Sequence, residues 1–97
     1  MRRAEAIAIL ILLREPLRKL GVLRLDLIGS VARDEASEDS DVDVLVELAP
    51  GPDKLGRHFA IQDALEQALG RRVDVVLTST VKPLAWRVIE QERVHVA

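Results

Sequence analysis

Three short stretches of the chain alternate with a period of two: Leu23, Leu25 and Leu27; Val42, Val44 and Val46; Val73, Val75 and Leu77. Successive side chains of a strand point to opposite faces, so these positions predict three strands sharing one wholly apolar face that helices must cover. The other face then carries Arg24 and Asp26 from the first strand, Asp41, Asp43 and Leu45 from the second, and Asp74 and Val76 from the third. Helical signals surround the strands. Ala4 to Arg14 is rich in strong helix formers with apolar residues all round, and Pro16 either ends that helix or opens a second turn through Lys19, closed by Gly21. Pro50-Gly51-Pro52 marks a loop, after which Ile61, Leu65, Ala68 and Leu69 form a helical stripe ended by Gly70. A last helix is predicted from Pro83 to Glu92, followed by a short terminal strand over 93–96.

Length and composition bound what this pattern can do. With 97 residues, and no linker long enough to divide them, one small domain over 1–97 is expected, without auxiliary domains for substrate selection. The absence of cysteine excludes disulfides, thiolate metal ligands and a thiol nucleophile, which fits a reducing, cytoplasmic setting. Ala6 to Leu13 is the longest apolar run. It is far short of the roughly 20 residues that a bilayer requires, and it predicts a buried helix with no membrane association. A net charge of −2 conceals an asymmetry: residues 34–53 hold eight acids (Asp34, Glu35, Glu38, Asp39, Asp41, Asp43, Glu47, Asp53) and no lysine or arginine. Such a segment repels a nucleic-acid backbone, so no direct DNA binding is expected, and it suits divalent cations.

The candidate chemistry lies where the first two strands meet. Gly29-Ser30 closes the first strand, and after ten intervening residues Asp41-Val42-Asp43 opens the second. Glycine allows a sharp turn and a close approach to a ligand, and a serine opening a helical turn offers hydroxyl and amide to phosphate oxygens. Aspartates two apart on a strand project from one face and can share hard cations such as magnesium through oxygen ligands. Asp74 completes the set if the third strand neighbours the second. Three carboxylates on two metals is the arrangement that clamps attacking and leaving oxygens in an in-line phosphoryl displacement.

The stretches Ile28-Gly29-Ser30-Val31-Ala32-Arg33, Ser40-Asp41-Val42-Asp43-Val44-Leu45-Val46 and Arg72-Val73-Asp74-Val75-Val76 resemble the minimal nucleotidyltransferases (MNT domains) of the DNA polymerase beta superfamily. The resemblance covers nearly the whole chain. It implies an α/β nucleotidyltransferase fold, with a small mixed β-sheet and helices packed mainly on one face, and transfer of a nucleoside monophosphate to an acceptor hydroxyl. It further implies a physical partner, since the chain is similar to MntA-type antitoxins, which add AMP from ATP to a tyrosine of a HEPN ribonuclease toxin. On that resemblance Gly29 and Ser30 hold the triphosphate, Asp41 and Asp43 bind both Mg2+ ions, and Asp74 binds the catalytic metal and favours deprotonation of the acceptor. Arg33, one helical turn after Ser30, reaches a phosphate or pairs with Asp34, Glu35 or Glu38. The family usually has phenylalanine at Ile28 and glycine at Asp34; Asp34 is expected to set a carboxylate beside the phosphate loop and weaken nucleotide binding.

Other residues take plainer readings. Asp26 is solvated or pairs with a nearby cation, Ser40 and Asp39 form the turn into the second strand, Lys82 is solvated, and Trp86 packs on the core. His58 and His95 are given no general-base role, because carboxylates and metals already supply one. The chain has no tyrosine, so tyrosine-directed transfer must act on another molecule. Two alternatives stand beside the adenylyltransferase antitoxin. One is a non-catalytic module that covers its partner sterically, supported by Asp34; the other is a nucleotidyltransferase with a small-molecule or RNA acceptor, disfavoured by the scarcity of basic residues near the site and the lack of a second domain.

Overall fold

The computed structural model describes residues 1–97. Two helices, α1 (Arg3–Leu12) and α2 (Arg14–Lys19), precede strand β1 (Val22–Ile28), a single helical turn α3 (Gly29–Ala32) and strand β2 (Val42–Leu48). Helix α4 (Lys54–Leu69), strand β3 (Val73–Leu77), a 3-10 turn (Thr78–Thr80), helix α5 (Pro83–Glu92) and strand β4 (Val94–His95) complete the chain. The sheet is mixed, in the order β3-β2-β1-β4, with β2 and β3 parallel and the other pairs antiparallel. No helix is long and apolar enough to cross a membrane.

The apolar face expected of the strands is present. Leu25, Leu27, Val42, Val44, Val46, Val73, Val75 and Leu77 pack in one core with Ala6 and Leu10 of α1, Leu17 of α2, and Ile61, Leu65 and Leu69 of α4. Leu23 departs from its expected place and is exposed. The β1–β2 register slips between Val22 and Arg24, and this bulge puts Val22 in the core and turns Leu23 outward. Helix α1 is also less buried than its composition implies. Only Ala6 and Leu10 are enclosed, and Leu12 stands 80% exposed. Pro16 falls in the first turn of α2, where its missing N–H disrupts nothing, so it starts a helix and does not end one.

The opposite face is partly covered too, which the strand pattern alone did not reveal. Ile89 of α5 packs on Ile28 and Leu45, with Trp86 half-buried beside them. Next to this patch Asp26 is fully buried and takes three side-chain partners: the guanidinium groups of Arg24, at 3.1 Å, and Arg93, and the imidazole of His95 at 2.9 Å. Burial by itself would raise the Asp26 pKa, but the hydrogen bonds from His95, Arg93 and Arg24 outweigh it and hold the carboxyl below its ordinary value. The expected pairing of Asp26 is thus realised as a buried cluster that fastens β4 to the edge of β1.

Candidate functional site

The site gathers at the end of the sheet where β1 finishes and β2 and β3 begin. Ile28 pairs with Asp43, and Asp43 lies directly opposite Asp74 in the parallel ladder, so these two aspartates share one face. The alignment is held from outside the strands: Val42 N–H donates to Arg72 O at 3.0 Å, and α4 meets the start of β3 through Glu66, which accepts the Val73 N–H, and Gln62, which donates to Val73 O. Arg71 donates to Glu38 O at 3.2 Å and ties the approach to Asp41 to the approach to Asp74. The expected turn into β2 is present at Ser40, whose hydroxyl oxygen accepts the Ser37 N–H at 3.0 Å.

Asp41 and Asp74 are exposed and Asp43 is half-buried. Burial, then the charges of Asp74, Asp41 and Glu92, push the Asp43 carboxyl above its ordinary pKa, with Arg33 opposing them. Asp43 therefore feels every carboxylate of the group at once. No three acidic or histidine side chains lie close enough to share one ion in this conformation. The donor set is nonetheless all oxygen and its excess negative charge is uncompensated, a chemistry that fits a hard divalent cation.

Gly29 adopts φ +74°, and a Cβ on it would overlap the Asp43 carboxylate. Only glycine meets both demands, the left-handed backbone and the close approach. Gly29→Ala is accordingly expected to cost about 1–3 kcal/mol of stability in a denaturant titration and to displace the Asp43 side chain. An unchanged midpoint would mean that the turn is not constrained as described.

Ser30 is half-buried, one position into the same turn. Arg33 pairs with Glu35 at 3.3 Å, one of the partners weighed from sequence, and with Glu92 at 2.6 Å. Glu92 was missed. Its other oxygen accepts the Gly29 N–H at 3.1 Å, placing the end of α5 on the glycine turn. A helix leaving the far end of β3 must run back along the sheet, so its last residues return to the end that holds Asp74; that signal was available in the element order.

Asp34 closes the turn that follows α3, its N–H donating to Val31 O at 3.0 Å. It too lies in the left-handed region, φ +60°, where glycine is at ease and aspartate is tolerated. Its Oδ1 accepts the backbone N–H of Arg3 at 2.9 Å, which directs the carboxylate toward the first turn of α1. Lys82 is exposed at the start of α5, the end of that helix remote from Glu92. None of Gly29, Ser30, Arg33, Asp41, Asp43 and Asp74 lines an enclosed cavity; the surface hollows lie around Leu17–Val22–Ala97 and around Leu48–Arg57–Ser79. The carboxylate face is open.

A small mixed sheet with a glycine–serine turn facing a pair of in-register aspartates defines a nucleotidyltransferase fold. The chain belongs to the nucleotidyltransferase domain family, whose model matches residues 10–96. It is 38% identical over 83 residues to the protein adenylyltransferase MntA of Thermococcus cleftensis, covering 86% of this chain and 83% of that protein. Among solved structures it resembles a candidate minimal nucleotidyltransferase, with 36% identity and a TM-score of 0.75 over 97% of this chain and 95% of that one. It also shares its fold with a chain of the complex between a tri-AMPylated HEPN toxin of Shewanella oneidensis and its MNT antitoxin (18% identity, TM-score 0.59, 89% and 70% covered).

Proposed function

We propose that residues 1–97 form one minimal nucleotidyltransferase domain that transfers AMP from ATP to a hydroxyl of a partner HEPN ribonuclease, most simply a tyrosine, and so silences it. The observation that carries this reading is the Asp43–Asp74 pair, in register beside a turn that only glycine can make. Likeness to a protein adenylyltransferase at 38% identity supports the activity, and the fold shared with an antitoxin bound to an AMPylated toxin supports the partner. The open face suits an acceptor presented by another protein, and the lack of tyrosine in this chain requires that a tyrosine acceptor be external.

In this reading Asp41, Asp43 and Asp74 hold magnesium, Gly29 and Ser30 offer amide and hydroxyl groups to the triphosphate, and Arg33 offers its guanidinium. Magnesium supplies charge neutralisation on the phosphates and makes the acceptor hydroxyl more acidic. The acceptor oxygen forms a bond to the α-phosphorus, the bond from that phosphorus to the β-phosphate bridging oxygen breaks, and pyrophosphate leaves. In this reading Asp74, through the metal it helps to hold, would favour loss of the hydroxyl proton to water. The steric-cover alternative keeps Asp34, whose exposed carboxylate accepts only the backbone N–H of Arg3.

Coexpression with the partner ribonuclease separates the two. Growth rescued by the wild-type chain and lost with Asp41→Asn is the outcome expected of AMP transfer. Full rescue by a well-expressed Asp41→Asn chain would instead favour cover without chemistry.

A further inference from the structure

Glu92 holds an unexpected position: one carboxylate oxygen accepts the Gly29 N–H at 3.1 Å and the other accepts from Arg33 at 2.6 Å. These donors, a backbone amide of the glycine turn and a guanidinium, are the two groups of that end of the sheet best suited to phosphate oxygens. The Glu92 side chain is only 14% exposed, so the contact is packed and is not a fleeting surface pair. The carboxylate also sits among other acids, close enough to Asp43 to raise its pKa. An acid placed there adds to the repulsion within the site, and what offsets that repulsion is its bond to Arg33 and Gly29.

We propose that Glu92 is an internal competitor for the nucleotide, its carboxylate occupying in the free protein the two donors that a phosphate group takes when the nucleotide binds. This rests on the nucleotidyltransferase reading of the site and adds a residue that sets its affinity and charge selectivity. An entering phosphate must displace Glu92, and once displaced the carboxylate is repelled from a site holding a polyanion. Ligands with the charge and oxygen geometry to outbid a carboxylate at both donors are admitted. Monoanions that engage only one donor are held back.

Calorimetric titration of the full chain with magnesium and α,β-methylene ATP tests this, comparing wild type with Glu92→Gln and Glu92→Ala. Competition predicts that both variants bind about ten-fold more tightly. It also predicts that hydrogen exchange at the Gly29 amide accelerates in nucleotide-free Glu92→Ala, which removes the acceptor, while core amides stay protected. Glu38→Gln, which removes an acid of the same acidic segment outside these contacts, is expected to leave affinity within about two-fold. Weaker or unchanged binding in both Glu92 variants would overturn the proposal by making Glu92 a support for Arg33, and equal tightening by Glu38→Gln would reduce the effect to general charge. Labelling of the partner by the wild-type chain is scored in parallel. Labelling with unchanged variant affinities removes the competitor and leaves the transferase, whereas tighter binding by both variants without labelling keeps the competitor and removes the transferase.

Discussion

Asp43→Asn is expected to reduce AMP transfer by about a thousand-fold or more while leaving the protein as stable as the wild type or slightly more so. Both halves follow from the same geometry. Asp43 is the half-buried member of the carboxylate group, facing Asp74 across the ladder, and its pKa is raised by burial and by the charges of Asp74, Asp41 and Glu92. A carboxyl whose pKa is raised on folding opposes the fold once ionised: the stability it gives is present below its unfolded pKa and is lost as pH rises through the folded value. Removing the charge at neutral pH therefore relieves cross-strand repulsion, by up to about 1 kcal/mol before screening at this open face. Magnesium inverts the sign, because a cation favours the ionised set. Thermal unfolding with and without magnesium should show wild type stabilised by the ion and Asp43→Asn indifferent to it. A variant that loses both activity and stability would place Asp43 in the structural framework and not in a metal site.

The largest loss of stability is expected from Asp26→Ala, at about 3–5 kcal/mol. Asp26 is wholly enclosed, and the Arg93 side chain that depends on it is itself 16% exposed, so truncation leaves a nearly buried guanidinium without its main counter-charge. Arg93 would keep Glu90 at 2.9 Å and the face of Trp86 at 5.4 Å, which limits the damage but does not replace a buried carboxylate. For a domain of this size, with about 5–15 kcal/mol in total, the midpoint of thermal unfolding should fall by more than about 10 °C. The pH dependence identifies the cause. Because the Asp26 pKa is lowered on folding, its stabilisation is present above the unfolded value of 3.8 and is lost as pH falls through the folded value. Wild type and variant should therefore differ most near neutrality and converge in acid. A gap independent of pH would point to lost packing.

Both substitutions concern residues that the sequence presents with unequal clarity. Asp41 and Asp43 are legible because spacing of two on a strand fixes a shared face, and Gly29-Ser30 because a glycine at a strand end signals a turn. Asp74 needed one more fact, the parallel pairing of β2 with β3, which the intervening helix α4 makes the natural arrangement. Leu23 misled for a simple reason. Val22 and Leu23 are both apolar, so a one-residue bulge that exchanges them leaves no mark on the hydrophobic pattern. At Asp34 the left-handed backbone was implied by the glycine usual there, but its hydrogen bond from the Arg3 amide joins residues 31 positions apart. Glu92 and Gly29 are 63 positions apart and Asp26 and His95 are 69, and pairings of that range come from topology, not from local spacing.

Intact mass spectrometry tests the proposed transfer most directly, on a candidate HEPN partner mixed with the chain, magnesium and ATP. The expected result is a gain of about 329 Da per event on the partner, with none on this tyrosine-free chain and none when Asp43→Asn replaces the wild type. A stable complex of the two proteins with no change in mass, under conditions where the nucleotide is bound, would contradict AMP transfer as the function of this site.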